Sequence, residues 1–71
     1  MAQEDYSVGY QVGLSRSRQD FKKFIPKRNE IPQEYLGKSR EFQMGFMNGY
    51  QTGYEKSIRV AQDLARINGH I

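Results

Sequence analysis

The stretch FQMGFMNGYQTGY, residues 42–54, decides the fold of this 71-residue chain, because an aromatic residue or a glycine recurs in it every three or four positions. That spacing places the aromatic residues and the glycines on one face of an α-helix. A shorter version of the same pattern, YSVGYQVGL, occupies residues 6–14. The two copies predict two helices with similar packing surfaces.

Glycine inside a helix costs roughly 0.5–1 kcal/mol relative to alanine, so five glycines in these two stretches need a physical reason. Small residues four positions apart form a groove that lets another helix approach closely. We therefore predict that the two copies pack against each other; the alternative is that one groove faces an RNA backbone or a partner helix. The predicted packing residues are Tyr6, Gly9, Tyr10, Gly13, Leu14, Phe42, Gly45, Phe46, Gly49 and Tyr50.

The three-four spacing extends outward from both copies. It predicts a first helix over about residues 4–25 and a long second helix over about residues 39–67. Pro26 disfavours helical backbone in the residue before it, and Ser39 is a suitable N-cap. Residues 26–38 are expected to form a connector without regular structure, either held across the helices by its apolar residues or acting as a disordered hinge. The predicted fold is one all-α domain, residues 1–71, built as a two-helix hairpin.

The composition argues against several classes of protein. Without cysteine the chain has no disulfide and no thiolate metal site. Its mean hydropathy is −0.86, and no apolar run approaches the roughly 20 residues of a membrane span. The single histidine, His70, has no partner pattern. We therefore expect a cytoplasmic protein that is not an enzyme, with no metal, no cofactor and no membrane partner.

Basic residues are concentrated in the middle of the chain. Residues 16–40 carry eight cations against three carboxylates, whereas the rest of the chain carries three cations against five carboxylates. Such a distribution suits an anionic partner, although a solvated basic loop would look the same. Phe24 lies within this run, and aromatic stacking between phosphate contacts is typical of nucleic-acid binding. The predicted RNA-binding residues are Arg16, Arg18, Lys22, Lys23, Lys27, Arg28, Lys38 and Arg40.

A second, weaker apolar strip lies beside the stripe of aromatic residues and glycines. The longer copy of the pattern also extends beyond the shorter one, by Gly53 and Tyr54. A domain this small buries little surface alone, so a homodimer or a larger protein partner is a reasonable expectation. The strip is either ordinary scatter or an interface in which adaptable methionines take part. The predicted protein-interface residues are Val8, Val12, Met44, Met47, Gly53 and Tyr54.

One order of motifs resembles a known family. The sequence GYQVGL at residues 9–14 is followed by residues 15–18, a proline-containing connector, and Arg40-x-Phe42-x-x-Gly45-Phe46. This order resembles the ribosome modulation factor family over roughly residues 8–50. The chain differs from that family in its acidic N-terminus, its longer connector and its extension from Gln51 onward.

The resemblance implies a short two-helix protein that binds ribosomal RNA on the small subunit and helps to pair idle ribosomes. Two functions are therefore open from the sequence. The first is a non-enzymatic accessory protein that binds ribosomal or other structured RNA through the central basic residues. The alternative is a small protein-interaction regulator or inhibitor, phage- or plasmid-borne, that acts as a helical homo-oligomer.

Overall fold

A computed structural model describes residues 2–69, in which two α-helices pack against each other: α1, Ala2–Lys22, and α2, Arg40–Gly69. A single 3₁₀ turn, Gln33–Tyr35, is the only regular element between them in this range, where no regular structure was predicted. No strand occurs among the described residues, so the predicted all-α, two-helix fold is confirmed. His70 lies outside the described residues.

The two helices run in the same direction. Tyr6 lies beside Gly45, and Tyr10 lies beside Gly49, so the contact advances along both helices together. A hairpin of two helices is usually antiparallel, and the parallel direction therefore refines the sequence prediction. It also explains the long connector, because residues 23–39 must return along the helix pair before α2 can begin.

Backbone meets backbone where the helices cross. A Cβ atom at Gly9 would lie closer to the carbonyl oxygen of Phe42 than real Cβ atoms ever come to another atom. A Cβ atom at Gly45 would meet the carbonyl oxygen of Tyr6 in the same way. Each helix thus offers a glycine to a carbonyl group of the other, which explains why glycine is kept in the middle of two helices despite its low helix propensity.

The same contact between a glycine of one helix and a carbonyl group of the other recurs one turn further along the pair. It joins Gly13 to Phe46 and Gly49 to Tyr10. Every residue of the first copy lies 36 positions before its counterpart in the second. Because equivalent residues make equivalent contacts, the helix pair has an approximate two-fold axis running between the two helices. This internal symmetry gives the pair two equivalent outer faces.

A row of aromatic rings on α2 forms the core on one of these faces. Phe42, Phe46 and Tyr50 are all less than a tenth exposed, and Tyr54 continues the row. The connector covers this row with Tyr35, whose ring centroid lies 5.4 Å from that of Phe42 and 5.2 Å from that of Phe46. The connector is therefore held across the helices, which was the preferred of the two sequence-based expectations.

The two helices are joined at the end where both begin. Ser39 caps α2, since its Oγ accepts a hydrogen bond from the backbone N–H of Phe42 at 3.2 Å. The same Oγ donates to the Asp5 carboxylate at 2.9 Å, which links the cap to the first turns of α1.

At the opposite end α2 continues past the end of α1. Val60, Leu64 and Ile67 on this extension are each more than half exposed. The helices within residues 2–69 lack any segment with the length and apolarity needed to cross a membrane.

Candidate nucleic-acid interface

The end of α1 is closed by an unusual cap. The backbone N–H of Ile25 donates to the carbonyl of Asp20 at 2.9 Å, and that of Phe24 donates to the carbonyl of Phe21 at 3.1 Å. This pair of bonds is the Schellman motif, whose C′ residue adopts left-handed backbone and is usually glycine. Here the C′ residue is Phe24, with φ of 60°. The motif ends α1 at Lys22, three residues before the end that Pro26 predicts.

Phe24 is also the most exposed of the large apolar side chains in the described range, at 93%. The left-handed conformation costs an L-residue with a Cβ atom roughly 1–2 kcal/mol, a cost that glycine would avoid. An exposed apolar residue by itself needs no explanation, because scattered ones are common. An exposed phenylalanine in strained backbone is unfavourable on two counts, and strain of this kind is concentrated at functional sites.

The eight predicted RNA-binding residues do not form one patch. Three of them are engaged by other side chains of the protein: Arg16 binds Glu34 at 3.1 Å and Asp20 at 3.5 Å, Lys27 lies 3.7 Å from Glu55, and Lys38 lies over the ring of Phe42. That these three bind RNA stays a prediction. In the fold each already has an intramolecular partner, which lies one turn away on α1 or is brought close by the return of the connector along the helices.

Five of the predicted cations make no ion pair with any residue between 2 and 69: Arg18, Lys22, Lys23, Arg28 and Arg40. Lys22 and Lys23 directly precede Phe24 in the chain, and Arg18 lies one turn before Lys22 on α1. Arg28 lies in the connector, where it lines a small cavity with Phe46 and Tyr50 of α2. Arg40 is the first residue of α2 and lies where both helices begin. We define the α1 tip as Arg18, Lys22, Lys23 and Phe24.

A buried polar network supports the last turn of α1 behind this tip. The hydroxyl of Tyr50 donates a short hydrogen bond to the carboxylate of Asp20, which is 6% exposed. The other oxygen of that carboxylate faces the guanidinium of Arg16. Among the described residues every buried side-chain nitrogen or oxygen atom has a partner, so the network is fully satisfied. The hydroxyl of Tyr54 donates to the carbonyl of Ile25 at 2.7 Å and holds the chain just after the tip.

We expect the network to make stability depend on pH in the alkaline range. Burial, together with the hydrogen bond to Asp20 and the negative charge of that residue, raises the pKa of Tyr50 to about 12. An unfolded tyrosine ionises near pH ~10, so the stabilisation is complete below that pH and is lost as the pH rises through about 12. The two-unit difference corresponds to roughly 2–3 kcal/mol.

The comparison that checks this is chemical unfolding of the wild type and of Tyr50→Phe from about pH 9 to about pH 12. The variant has no hydroxyl at this position, so the difference in the free energy of unfolding between the two proteins should shrink across that range. A difference that stays constant with pH would contradict the expectation.

The predicted protein-interface residues are also separated by the fold. Val8, Met44 and Met47 are exposed by 55%, 50% and 45%. Val12, in contrast, packs against the aromatic core.

Gly53 and Tyr54, by which the longer copy extends beyond the shorter one, face the other helix. Gly53 is buried, and a Cβ atom there would meet the side chain of Ser17 and the backbone of Leu14 in the same chain. Tyr54 packs edge-on against Phe21 with ring centroids 5.6 Å apart. These residues, predicted to meet a partner, are part of the helix pair itself.

The predicted protein-interface residues leave out one surface. An apolar groove of about 500 Å³ lies beside the end of α1, and Val60 and Leu64 of the α2 extension contribute to it. The signal was available, because the apolar positions of α2 continue for several turns beyond the length of α1. Within the described range no group of three His, Cys, Asp or Glu residues is arranged to hold a metal ion.

Comparison of the chain with models of protein families, with curated proteins and with solved structures finds no match. The GYQVG sequence behind the resemblance to ribosome modulation factor lies in α1, where Gly9 and Gly13 contact the backbone of α2. The motifs of the resemblance are therefore packing motifs, and they bear on the fold more directly than on the partner.

Proposed function

We propose that this protein is a non-enzymatic accessory protein that binds unpaired bases of a structured RNA at the α1 tip. The observation that carries the proposal is Phe24, an aromatic side chain 93% exposed on left-handed backbone where glycine would be the ordinary residue. Stacking of a base on an aromatic side chain contributes roughly 1–3 kcal/mol and requires such an exposed ring. Ribosomal RNA is the first RNA to test, because of the resemblance to ribosome modulation factor.

Charge supports the same proposal. Lys22 and Lys23 precede the ring, and neither makes an ion pair within residues 2–69. Positive charge near a helix C-terminus also stabilises the helix dipole, so these lysines alone are not decisive. The combination of unpaired cations with an exposed, strained ring is what favours nucleic acid. Phosphate contacts by Arg18, Lys22 and Lys23 would give a slope of about −2 for the logarithm of affinity against that of salt concentration, by the single-strand relation.

The experiment is Phe24→Gly, because stability and function should change in opposite directions. Glycine relieves the strained backbone, so the free energy of unfolding should rise by about 1 kcal/mol. Loss of one stacked base should weaken binding of a labelled RNA hairpin with an unpaired loop by about tenfold or more. Fluorescence anisotropy measures the affinity, and urea unfolding measures the stability.

Two charge reversals provide a matched control for the site. Lys23→Glu changes the tip, whereas Arg40→Glu makes the same change where both helices begin, roughly 30 Å away along α1. RNA affinity should fall only for Lys23→Glu. Equal effects of the two reversals, or unchanged affinity of Phe24→Gly, would contradict binding at the tip.

A further inference from the structure

The two outer faces of the helix pair are equivalent by the internal two-fold axis, yet only one of them is covered. On the covered face the connector packs Tyr35 against Phe46, and Glu34 of the same turn binds Arg16. The counterparts of Phe46 and Tyr50, 36 positions earlier, are Tyr10 and Leu14. Tyr10 and Leu14 line the apolar groove on the other face, and no part of the chain between residues 2 and 69 fills it.

The groove is elongated, and its floor is formed by apolar side chains of both helices. Leu14 and Phe21 of α1 form one side, and Val60 and Leu64 of α2 form the other. Val60 and Leu64 are 51% and 57% exposed, so the groove is accessible from solvent. The lining residues of α2 run from Thr52 to Leu64, which corresponds to about 18 Å along the helix. A groove of this length matches about three turns of a docked helix.

The rim of the groove is basic. Arg18, Lys22 and Lys56 line it, and the lining contains no carboxylate. None of the three makes an ion pair with another residue of the described range. An occupant with apolar side chains on one face and carboxylates beside them would satisfy both the floor and the rim. The covered face already uses that combination, in the form of Tyr35 and Glu34.

A second copy of the chain is a poor occupant on grounds of charge. Its most available helical segment is the exposed end of α2, which carries Arg59 and Arg66 against Asp63. That segment is net positive and would be repelled by the three cations at the rim. We propose that the groove binds an acidic amphipathic α-helix of another protein, with its apolar side chains on Leu14, Phe21, Val60 and Leu64. This mode is the helix-in-groove recognition known from other small helical proteins.

The probe for the test is a synthetic peptide of about 16 residues, with leucines at i, i+3, i+4 and i+7 spacing and glutamates at the remaining positions. A second peptide carries lysine in place of every glutamate. The full chain should bind the glutamate peptide, measured by fluorescence anisotropy, and should bind the lysine peptide at least about tenfold more weakly. Equal affinity for the two peptides, or no binding of the glutamate peptide, overturns the proposal.

Substitutions in the protein locate the binding. Leu64→Asp should weaken the glutamate peptide about tenfold or more, because Leu64 lines the floor. Leu36→Asp is the matched control, since Leu36 is exposed to nearly the same extent, 58% against 57%, but lies in the connector away from the groove. Lys56→Glu should weaken the peptide by about threefold, the size expected of an exposed ion pair, whereas Arg59→Glu should not.

Two further measurements distinguish other occupants. A concentration-dependent dimer that Leu64→Asp dissociates would assign the groove to a second copy and overturn the proposal. Arg18 and Lys22 belong to both the groove and the α1 tip, so RNA binding is compared in the uncharged variant Leu64→Ala. Loss of RNA binding in Leu64→Ala would assign the groove to nucleic acid, with the same consequence. Phe24 does not line the groove, so a negative result with Phe24→Gly leaves this proposal standing.

Discussion

Replacing Gly49 by alanine is expected to unfold the protein. The new methyl group would lie closer than 3.0 Å to the carbonyl oxygen and the Cα atom of Tyr10. These are backbone atoms of α1, which cannot rotate away as the end of a flexible side chain can, so the helices must separate. Separation would disturb the whole row of rings from Phe42 to Tyr54, because both the close approach and the ring packing depend on the same interhelical distance.

Two opposing effects determine how much Gly49→Ala lowers the free energy of unfolding. Alanine contributes up to about 1 kcal/mol through its helix propensity. Overpacking in a well-packed core costs typically about 1–3 kcal/mol, and a clash with backbone belongs at or above the upper end of that range. A domain of this size has an expected stability of only about 3–5 kcal/mol. We therefore expect circular dichroism to show loss of most helix, or of a cooperative urea transition, for Gly49→Ala.

Gly37→Ala is the matched control for this substitution. No atom lies within 4 Å of a Cβ atom built at Gly37, and its backbone is not in the left-handed region. Alanine there restricts the unfolded chain and should leave stability unchanged or raise it by up to about 1 kcal/mol. If Gly49→Ala were as stable as Gly37→Ala, the close helix contact would not be what holds the fold together.

The second large effect is expected for Phe46→Ala. Phe46 is 2% exposed and packs against Tyr35 of the connector and Tyr50 of the same row. Truncation of such a residue costs about 3–5 kcal/mol, since it removes apolar contact and leaves a cavity. The loss equals most or all of the expected stability, and it also frees the connector from the ring that holds it.

Phe24→Ala makes the same chemical change at a side chain that is 93% exposed. It should change the free energy of unfolding by less than about 0.5 kcal/mol, as surface substitutions usually do. Thermal and urea unfolding of the two variants measure the contrast directly. Similar destabilisation by both would mean that the ring of Phe24 is buried in solution.

The spacing of aromatic residues and glycines was sufficient to predict both helices and their mutual contact. It could not establish their relative direction, because the same stripe of small residues suits a parallel or an antiparallel partner. The length of the connector is the feature of the sequence that indicates the parallel direction. Antiparallel neighbours are normally joined by about 2–8 residues, and a chain that must return along a helix needs more.

Which of the basic residues are free of ion pairs could be predicted only in part, because this also depends on the path of the connector. Whether Arg16 is available for RNA depends on Glu34 and Asp20. The four-residue spacing of Arg16 and Asp20 on one helix is visible in the sequence, whereas the path of the connector decides that Glu34 meets Arg16. Pro26 gave the approximate end of α1, but the left-handed backbone at Phe24 has no signal in the sequence, where glycine marks such positions. The basic residues around Phe24 suggest that its ring stacks on a base, whereas the strain in its backbone is visible only in the structure.

The parallel arrangement also has a consequence for how the chain folds. Gly9 meets Phe42, 33 residues later, and Tyr6 meets Gly45, 39 residues later. An antiparallel pair can close from its loop one turn at a time, but here every contact between the helices spans about half of the chain. Two-state proteins with such distant contacts fold more slowly than helical proteins with local ones. We expect the refolding rate to resemble that of a mixed α/β domain more than that of a helical bundle, and stopped-flow refolding would show it.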